Sequence, residues 1–204
     1  MLFGENRDAA FFIDPDGVPQ NLIQNAKIIM VCPIDNNVTR EKLRTLKQKV
    51  GTKTLLVCTP QGFFRRYNLD TSVYKGEWEN AEEMISYFDL VFLSEEDGKM
   101  LDEKVVAWSK NSIVVLTRAE RGCSVFQNGQ RRDFPAFRVE TIVDPVGAGD
   151  VFAAAFVYRY LETKDVGKSA VFANAAAALS LGFHASEMRF TQVDIEQFLF
   201  SRSF

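Results

Sequence analysis

The stretch DPVGAGDVFAAAF, residues 144–156, sets two glycines and an aspartate at the threshold of an apolar run of small and aromatic residues. A helix start leaves backbone N–H groups without partners and carries roughly half a positive charge, so it attracts an anion wherever the backbone can be approached closely. Gly147 and Gly149 bring no side chain to block that approach. Strand, glycine-rich turn and helix in this order make a candidate phosphate or oxyanion cradle. The plainer reading of the same residues is a tight turn with Asp150 as helix cap. Two familiar phosphate motifs are excluded by counting. Phe152 stands where the dinucleotide fingerprint needs its third small residue, and no Gly-x-x-x-x-Gly-Lys-Ser/Thr run occurs.

Asp150 gives the cradle a chemical direction. A carboxylate in the first helical turn lies beside the positive end that would receive a transferring phosphoryl group, and there it can accept the proton of an attacking hydroxyl. Nucleophile activation and charge stabilisation would then share one turn of helix.

Outward from this motif the chain alternates strand and helix patterns. AKIIMV (26–31), TLLVC (54–58), LVFL (90–93) and SIVVLT (112–117) are continuous apolar runs that read as strands. Between them lie REKLRTLKQKV, with Thr39 as its cap, AEEMISYF and SEEDGKMLDEKVVAWSK, all with helical spacing. Buried strands alternating with amphipathic helices predict a three-layer α/β/α sandwich with a mainly parallel sheet. CSVFQ and QRRDF, joined at Asn128-Gly129, read as a hairpin, VETIV leads into the cradle, and helices are expected over 149–161, 166–181 and 192–200. AAFFID (9–14) reads as a further strand.

Composition narrows the function classes. The 204 residues are 47% hydrophobic and 25% charged with a net charge of −3, which fits a soluble globular chain and offers no long basic face for nucleic acid. No apolar run approaches a membrane span, and the amino terminus has no signal-type core, so a cytoplasmic protein is expected. Cys32, Cys58 and Cys123, widely spaced in apolar runs, read as reduced buried thiols. His184, the only histidine, reads as a surface or packing residue.

The run Asp144-Pro145-x-Gly147-Ala148-Gly149-Asp150 resembles the carboxy-terminal signature of the ribokinase-like carbohydrate kinases, the PfkB family. FDLVFLSEEDGKML is similar to that family's Asn-x-x-Glu segment, IVVLTRAERGCSVF to its nucleotide strand and FANAAAALSLG to its adenine-side helix, together spanning about residue 26 to the end. The resemblance implies ATP-dependent phosphoryl transfer to a hydroxyl of a sugar, polyol or nucleoside. It implies Asp150 as base, the backbone of Gly147, Ala148 and Gly149 as anion hole, Thr117 and Gly122 lining the nucleotide site, and Asn174 near the adenine. Magnesium would accompany the nucleotide, with Asp97 as a metal-side carboxylate.

The chain departs from the family pattern at Ser94, which replaces Asn, at Asp97, which replaces Glu, and at Ala119, which replaces Gly. Ser94-x-x-Asp97 also has the form of a helix capping box. In TPQGFFRRYN (59–68), similar to a segment of inositol- and nucleoside-type members, Arg65 reads either as a substrate-side residue or as a loop charge. The family's first strand and Gly-Gly signature have no counterpart before GENRDAAFFIDPDG, so residues 1–25 are expected to be remnant lid strands. Residues 26–204 are then the nucleotide-binding core of a single domain. A truncated kinase or a catalytically weak nucleotide-binding module both fit that opening. A sheet without its leading strands exposes an apolar edge, for which a homodimer is the expected cover.

Overall fold

The computed structural model describes residues 17–70, 72–97 and 101–202. The strand expected at 9–14 lies outside them, and within 17–25 the chain forms helix α1 (Gln20–Asn25). By compactness the chain divides into two units, Met1–Val115 with Phe126–Gln130, and Leu116–Val125 with Arg131–Phe204.

In the first unit β1 (Ile28–Val31) runs parallel to β2 (Leu55–Cys58), pairing Ile29 with Leu56 and Val31 with Cys58. Helix α2 (Arg40–Lys49) joins them. Thr39 Oγ1 accepts the Lys42 N–H at 3.3 Å, the cap expected from the sequence, and Leu43 and Leu46 form the buried stripe. A two-stranded ribbon follows, β3 (Arg65–Tyr67) against β4 (Val73–Lys75), with Arg66 opposite Tyr74. This ribbon was not legible, because β4 is wholly exposed and carries no buried alternation. Polar turn contacts close it, with the Ser72 N–H donating to Asp70 Oδ1 at 2.9 Å.

Then come α3 (Ala81–Ile85), β5 (Leu90–Ser94) and α4 (Leu101–Trp108). β5 is parallel to β2, with Val57 opposite Leu90. Leu56, Val57, Cys58, Leu90 and Val91 have no exposed surface, which explains why these strands read as unbroken apolar runs. Phe63 stacks on Trp78 at 4.9 Å and Trp78 meets Trp108 edge-on at 6.2 Å.

β6 (Ile113–Thr117), β7 (Cys123–Gln127) and β8 (Gln130–Phe134) complete a six-stranded sheet of order β1-β2-β5-β6-β7-β8. Asn128 and Gly129 both have positive φ, 53° and 76°, as a tight primed turn requires. The two sheet edges differ. β8 exposes Arg131, Arg132 and Asp133, whereas β1 leaves Met30 37% exposed.

The second unit is dominated by α5 (Ala148–Thr163), α6 (Val166–Ser180) and α7 (Gln192–Ser201), within a residue or two of expectation. Alanines 170, 173, 175 and 176 of α6 are fully buried and permit close helix packing. Phe172, Ala175, Ala176 and Ile195 form a cluster against Phe137, Val151, Leu179 and Phe198.

Two expectations fail. VETIV (139–143) is not a strand, because the Val143 N–H goes to the Leu181 carbonyl at 2.8 Å instead of to a sheet neighbour, and Ile142 is 59% exposed. Cys32 is exposed rather than buried, since it follows the end of the edge strand β1, while Cys58 and Cys123 are buried.

Candidate active site

Helix α5 begins at Gly147, an N-cap residue with φ 81° and ψ −4°, a left-handed conformation that glycine adopts without cost. No side chain caps this helix. By contrast Asp165 caps α6 through the N–H groups of Gly167 and Lys168, and Thr191 with Asp194 forms a full capping box on α7. The Gly167-Lys168-Ser169 run is therefore closed to phosphate, its leading N–H groups being held by the Asp165 carboxylate.

At the start of α5 the Ala148 N–H reaches the Pro145 carbonyl at 3.3 Å and the Val151 N–H reaches the Gly147 carbonyl at 2.9 Å. Among the described residues no acceptor faces the N–H groups of Gly149 and Asp150. Both residues are exposed, and a methyl group placed on Gly149 would meet nothing within 4 Å. Of the three backbone groups the family pattern implies, the Ala148 N–H is turned to the Pro145 carbonyl, while the Gly149 N–H is open. Asp150 is the third residue of the helix and not its cap, and its exposed carboxylate stands beside these donors.

Thr117 ends β6 and is half-buried. Gly122 is buried with φ 88°, and a Cβ there would lie 2.1 Å from the Phe134 carbonyl oxygen, so the backbone itself demands glycine. Asn174 is 5% exposed, and its amide nitrogen donates to the carbonyls of Phe134 at 3.2 Å and Pro135 at 3.0 Å. Its amide nitrogen is occupied in holding the exit of β8. Burial pushes the neighbouring Cys123 thiol up to about 12, so it stays protonated at neutral pH. Ala119 occupies its family glycine position with φ 47°. Thr117, Gly122, the 147–150 turn and Asn174 all belong to the second unit.

Asp97 belongs to the first unit. It is 7% exposed, and Oδ2 accepts the Ser94 N–H at 2.8 Å while Ser94 Oγ accepts the Glu96 N–H at 3.2 Å. This is a reciprocal cap on a single 3-10 turn. Burial raises the Asp97 carboxyl above its ordinary value, opposed by the Ser94 N–H and the charge of Lys75. It lines a cavity of about 350 Å³ with Trp78, Trp108, Glu82 and Lys104. Among the described residues no group of three or more His, Cys, Asp or Glu side chains could hold a metal.

Arg65 donates to the Ile34 carbonyl at 2.7 Å, a loop-pinning contact, and His184 is exposed as expected. Sequence reasoning missed the loop after α6. Asp144 accepts the N–H groups of Val146 at 2.9 Å and Ala185 at 3.1 Å, and Met188 lies against Gly147. No local sequence signal marks contacts across some forty residues.

Residues 2–187 match the pfkB family carbohydrate kinase model. A protein of Pyrococcus horikoshii named as a sugar kinase is 28% identical over 85% of this chain and 56% of its own length. The cytidine kinase of Thermococcus kodakarensis is 30% identical over 70% of this chain and 50% of its own length. The chain thus spans about half the length of these relatives. Arabidopsis thaliana ribokinase, solved with ribose and ATP, superposes with a TM-score of 0.66 at 18% identity, covering 88% of this chain and 58% of that one. The fold is the α/β arrangement with a mainly parallel sheet common to such structures, and the chain belongs to the pfkB family of carbohydrate kinases.

Proposed function

We propose that the chain carries the nucleotide and phosphoryl-transfer part of an ATP-dependent kinase acting on a hydroxyl of a sugar, polyol or nucleoside. The observation that carries this reading is the uncapped start of α5, where the N–H groups of Gly149 and Asp150 are open beside an exposed carboxylate. The donors, with the turn Gly147-Ala148, receive the terminal phosphate and stabilise its developing charge. Asp150 accepts the proton of the acceptor hydroxyl as the oxygen attacks phosphorus. Thr117 and Gly122 border the nucleotide, and Asn174 acts on the base side through the Phe134 and Pro135 carbonyls it holds. Magnesium bound with the nucleotide would supply neutralisation of phosphate charge, and Asp97 would be its metal-side carboxylate.

The reading takes residues 1–204 as one cytoplasmic kinase domain. Strands β6 and β7 each contribute residues to both compact units, which supports a single domain. Among the described residues no helix is long and apolar enough to cross a membrane. The apolar edge strand β1, unlike the charged β8 edge, supports pairing with a second copy. Because the chain spans about half the length of its relatives, a nucleotide-binding module without turnover is the competing reading.

A thermal-shift series with ATP, ADP and AMP, with and without magnesium, followed by an acceptor panel, tests the proposal. ATP with magnesium should raise the melting temperature in step with its concentration over its dissociation constant, and one acceptor class should release ADP. Stabilisation by nucleotide with no acceptor consumed selects the module. No stabilisation by any nucleotide overturns both readings.

A further inference from the structure

Asp97 is 7% exposed, and of its two oxygens only Oδ2 accepts a hydrogen bond among the described residues, from the Ser94 N–H at 2.8 Å. A buried carboxylate oxygen with lone pairs to spare is costly unless a donor reaches it. Lys75 and Arg65 act on it without an ion pair: the Lys75 ammonium donates to the Glu96 carbonyl and the Arg65 guanidinium to the Ile34 carbonyl. The Asp97 side chain lines the cavity of about 350 Å³, whose walls all come from the first unit. That volume falls in the range of small-molecule sites, roughly 300–1,000 Å³.

The walls define the kind of molecule that fits. Trp78 and Trp108, both buried and edge-on at 6.2 Å, form the apolar side with Phe64, whose ring meets Trp78 at 5.9 Å. The Trp78 indole N–H is occupied by the Met84 sulfur at 3.4 Å, so it is not offered to a ligand. The charged acceptors on the lining are Asp97, Glu77 and, from the first turn of α3, Glu82. Lys104 of α4 is the lining's cation, and it is paired with Glu77 at 3.7 Å. Both of these side chains are more than half exposed, and an ion pair of that kind is weak and movable. Three carboxylates against one ammonium leave a surplus of negative charge beside indole rings. An organic cation gains both Coulomb and cation–π attraction in such a setting.

We propose that this cavity is a binding site for a primary ammonium compound with an aromatic body, the ammonium donating to Asp97 Oδ1 and drawn by Glu82, the body lying against Trp78 and Trp108. A primary ammonium fits where a quaternary one does not, because only the former has a hydrogen to donate to Oδ1. The site shares Asp97 alone with the kinase reading and needs neither nucleotide nor the 147–150 turn.

The probe is phenethylammonium chloride, titrated into the 204-residue chain without nucleotide or magnesium. Binding is followed by calorimetry and by the emission of Trp78 and Trp108, the only two tryptophans of the chain. It should be saturable, should shift that emission, and should be at least about tenfold tighter than binding of phenethyl alcohol, which has the same body without the charge. Asp97→Asn should weaken it by about tenfold and Glu82→Gln, an exposed and screened charge, by about threefold. Lys104→Gln removes a like charge and should not weaken it.

No saturable emission change, equal affinity for the alcohol or for the anion hydrocinnamate, or a loss of affinity in Lys104→Gln overturns the proposal. Wild-type affinity in both carboxylate variants does the same, as does an emission change that magnesium chloride alone reproduces. If Asp97→Asn does not fold, Glu82→Gln and Lys104→Gln decide, since both alter exposed side chains. A chain that binds the ammonium and no nucleotide leaves this site standing while the kinase reading falls.

Discussion

The side-chain amide nitrogen of Asn174, in the middle of α6, lies 3.0 Å from the carbonyl oxygen of Pro135, just past the end of β8. With a second bond to Phe134 it occupies one buried amide on two backbone acceptors. Asn174→Ala should therefore cost about 1–3 kcal/mol, the penalty for leaving buried acceptors without a donor. Urea unfolding measures this directly. A loss well under that range would mean water replaces the amide.

Gly122 and Gly149 should respond oppositely to alanine. At Gly122 the new methyl meets the Phe134 carbonyl at 2.1 Å with φ at 88°, so the fold should lose at least about 1–2 kcal/mol. At Gly149 nothing lies within 4 Å, and alanine in a helix should be neutral or stabilising by about 0.5–1 kcal/mol. ATP binding should nevertheless weaken in Gly149→Ala by about tenfold, because the methyl stands where phosphate approaches. Paired melting and titration experiments check both; wild-type ATP affinity in Gly149→Ala would remove phosphate from the start of α5.

Asp150→Asn separates catalysis from folding. The third position of α5 makes no cap, so stability should fall by no more than the charge–dipole contribution of a first-turn carboxylate, about 0.3–1 kcal/mol. Single-turnover phosphoryl transfer, measured in a form of the protein active toward its acceptor, should fall roughly 10²- to 10⁴-fold, the usual contribution of a positioned base. Transfer at the wild-type rate would dismiss Asp150 as the proton acceptor.

Ala119 is an exposed alanine in the left-handed region, φ 47°. Ala119→Gly should stabilise the chain by up to about 1–2 kcal/mol by relieving the contact between Cβ and the following carbonyl. A lower urea midpoint in the variant would contradict this.

Asp97 gives the chain a pH signature. Its folded carboxyl titrates above the unfolded value near 3.8, so the stability that its protonated form contributes is complete below that value and is lost as the pH rises through the raised one. Asn at this position keeps an oxygen for the Ser94 N–H and never ionises. Asp97→Asn should gain stability relative to wild type as the pH climbs above the ordinary carboxylate value, read from urea midpoints at each pH. A flat difference would mean that Asp97 is hydrated.

By itself the sequence determined the order of strands and helices in the core, because buried parallel strands leave continuous apolar runs and amphipathic helices leave a 3.6-residue period. It determined the Asn128-Gly129 turn and the Thr39 cap, since both are local backbone chemistry. It also placed Gly147, Gly149 and Asp150 at the head of a helix, and it could not tell a cap from an open cradle. Tertiary structure decided that. The Ala148 N–H turns to Pro145 locally, while Val143 and Asp144, before the turn, meet the Leu181 and Ala185 backbones some forty residues further along the chain. The same dependence hid the clamp of Asn174 on β8, the exposure of Cys32 at an edge and the failure of VETIV to join the sheet. Each of these turns on a partner many residues away, which neither periodicity nor local propensity encodes.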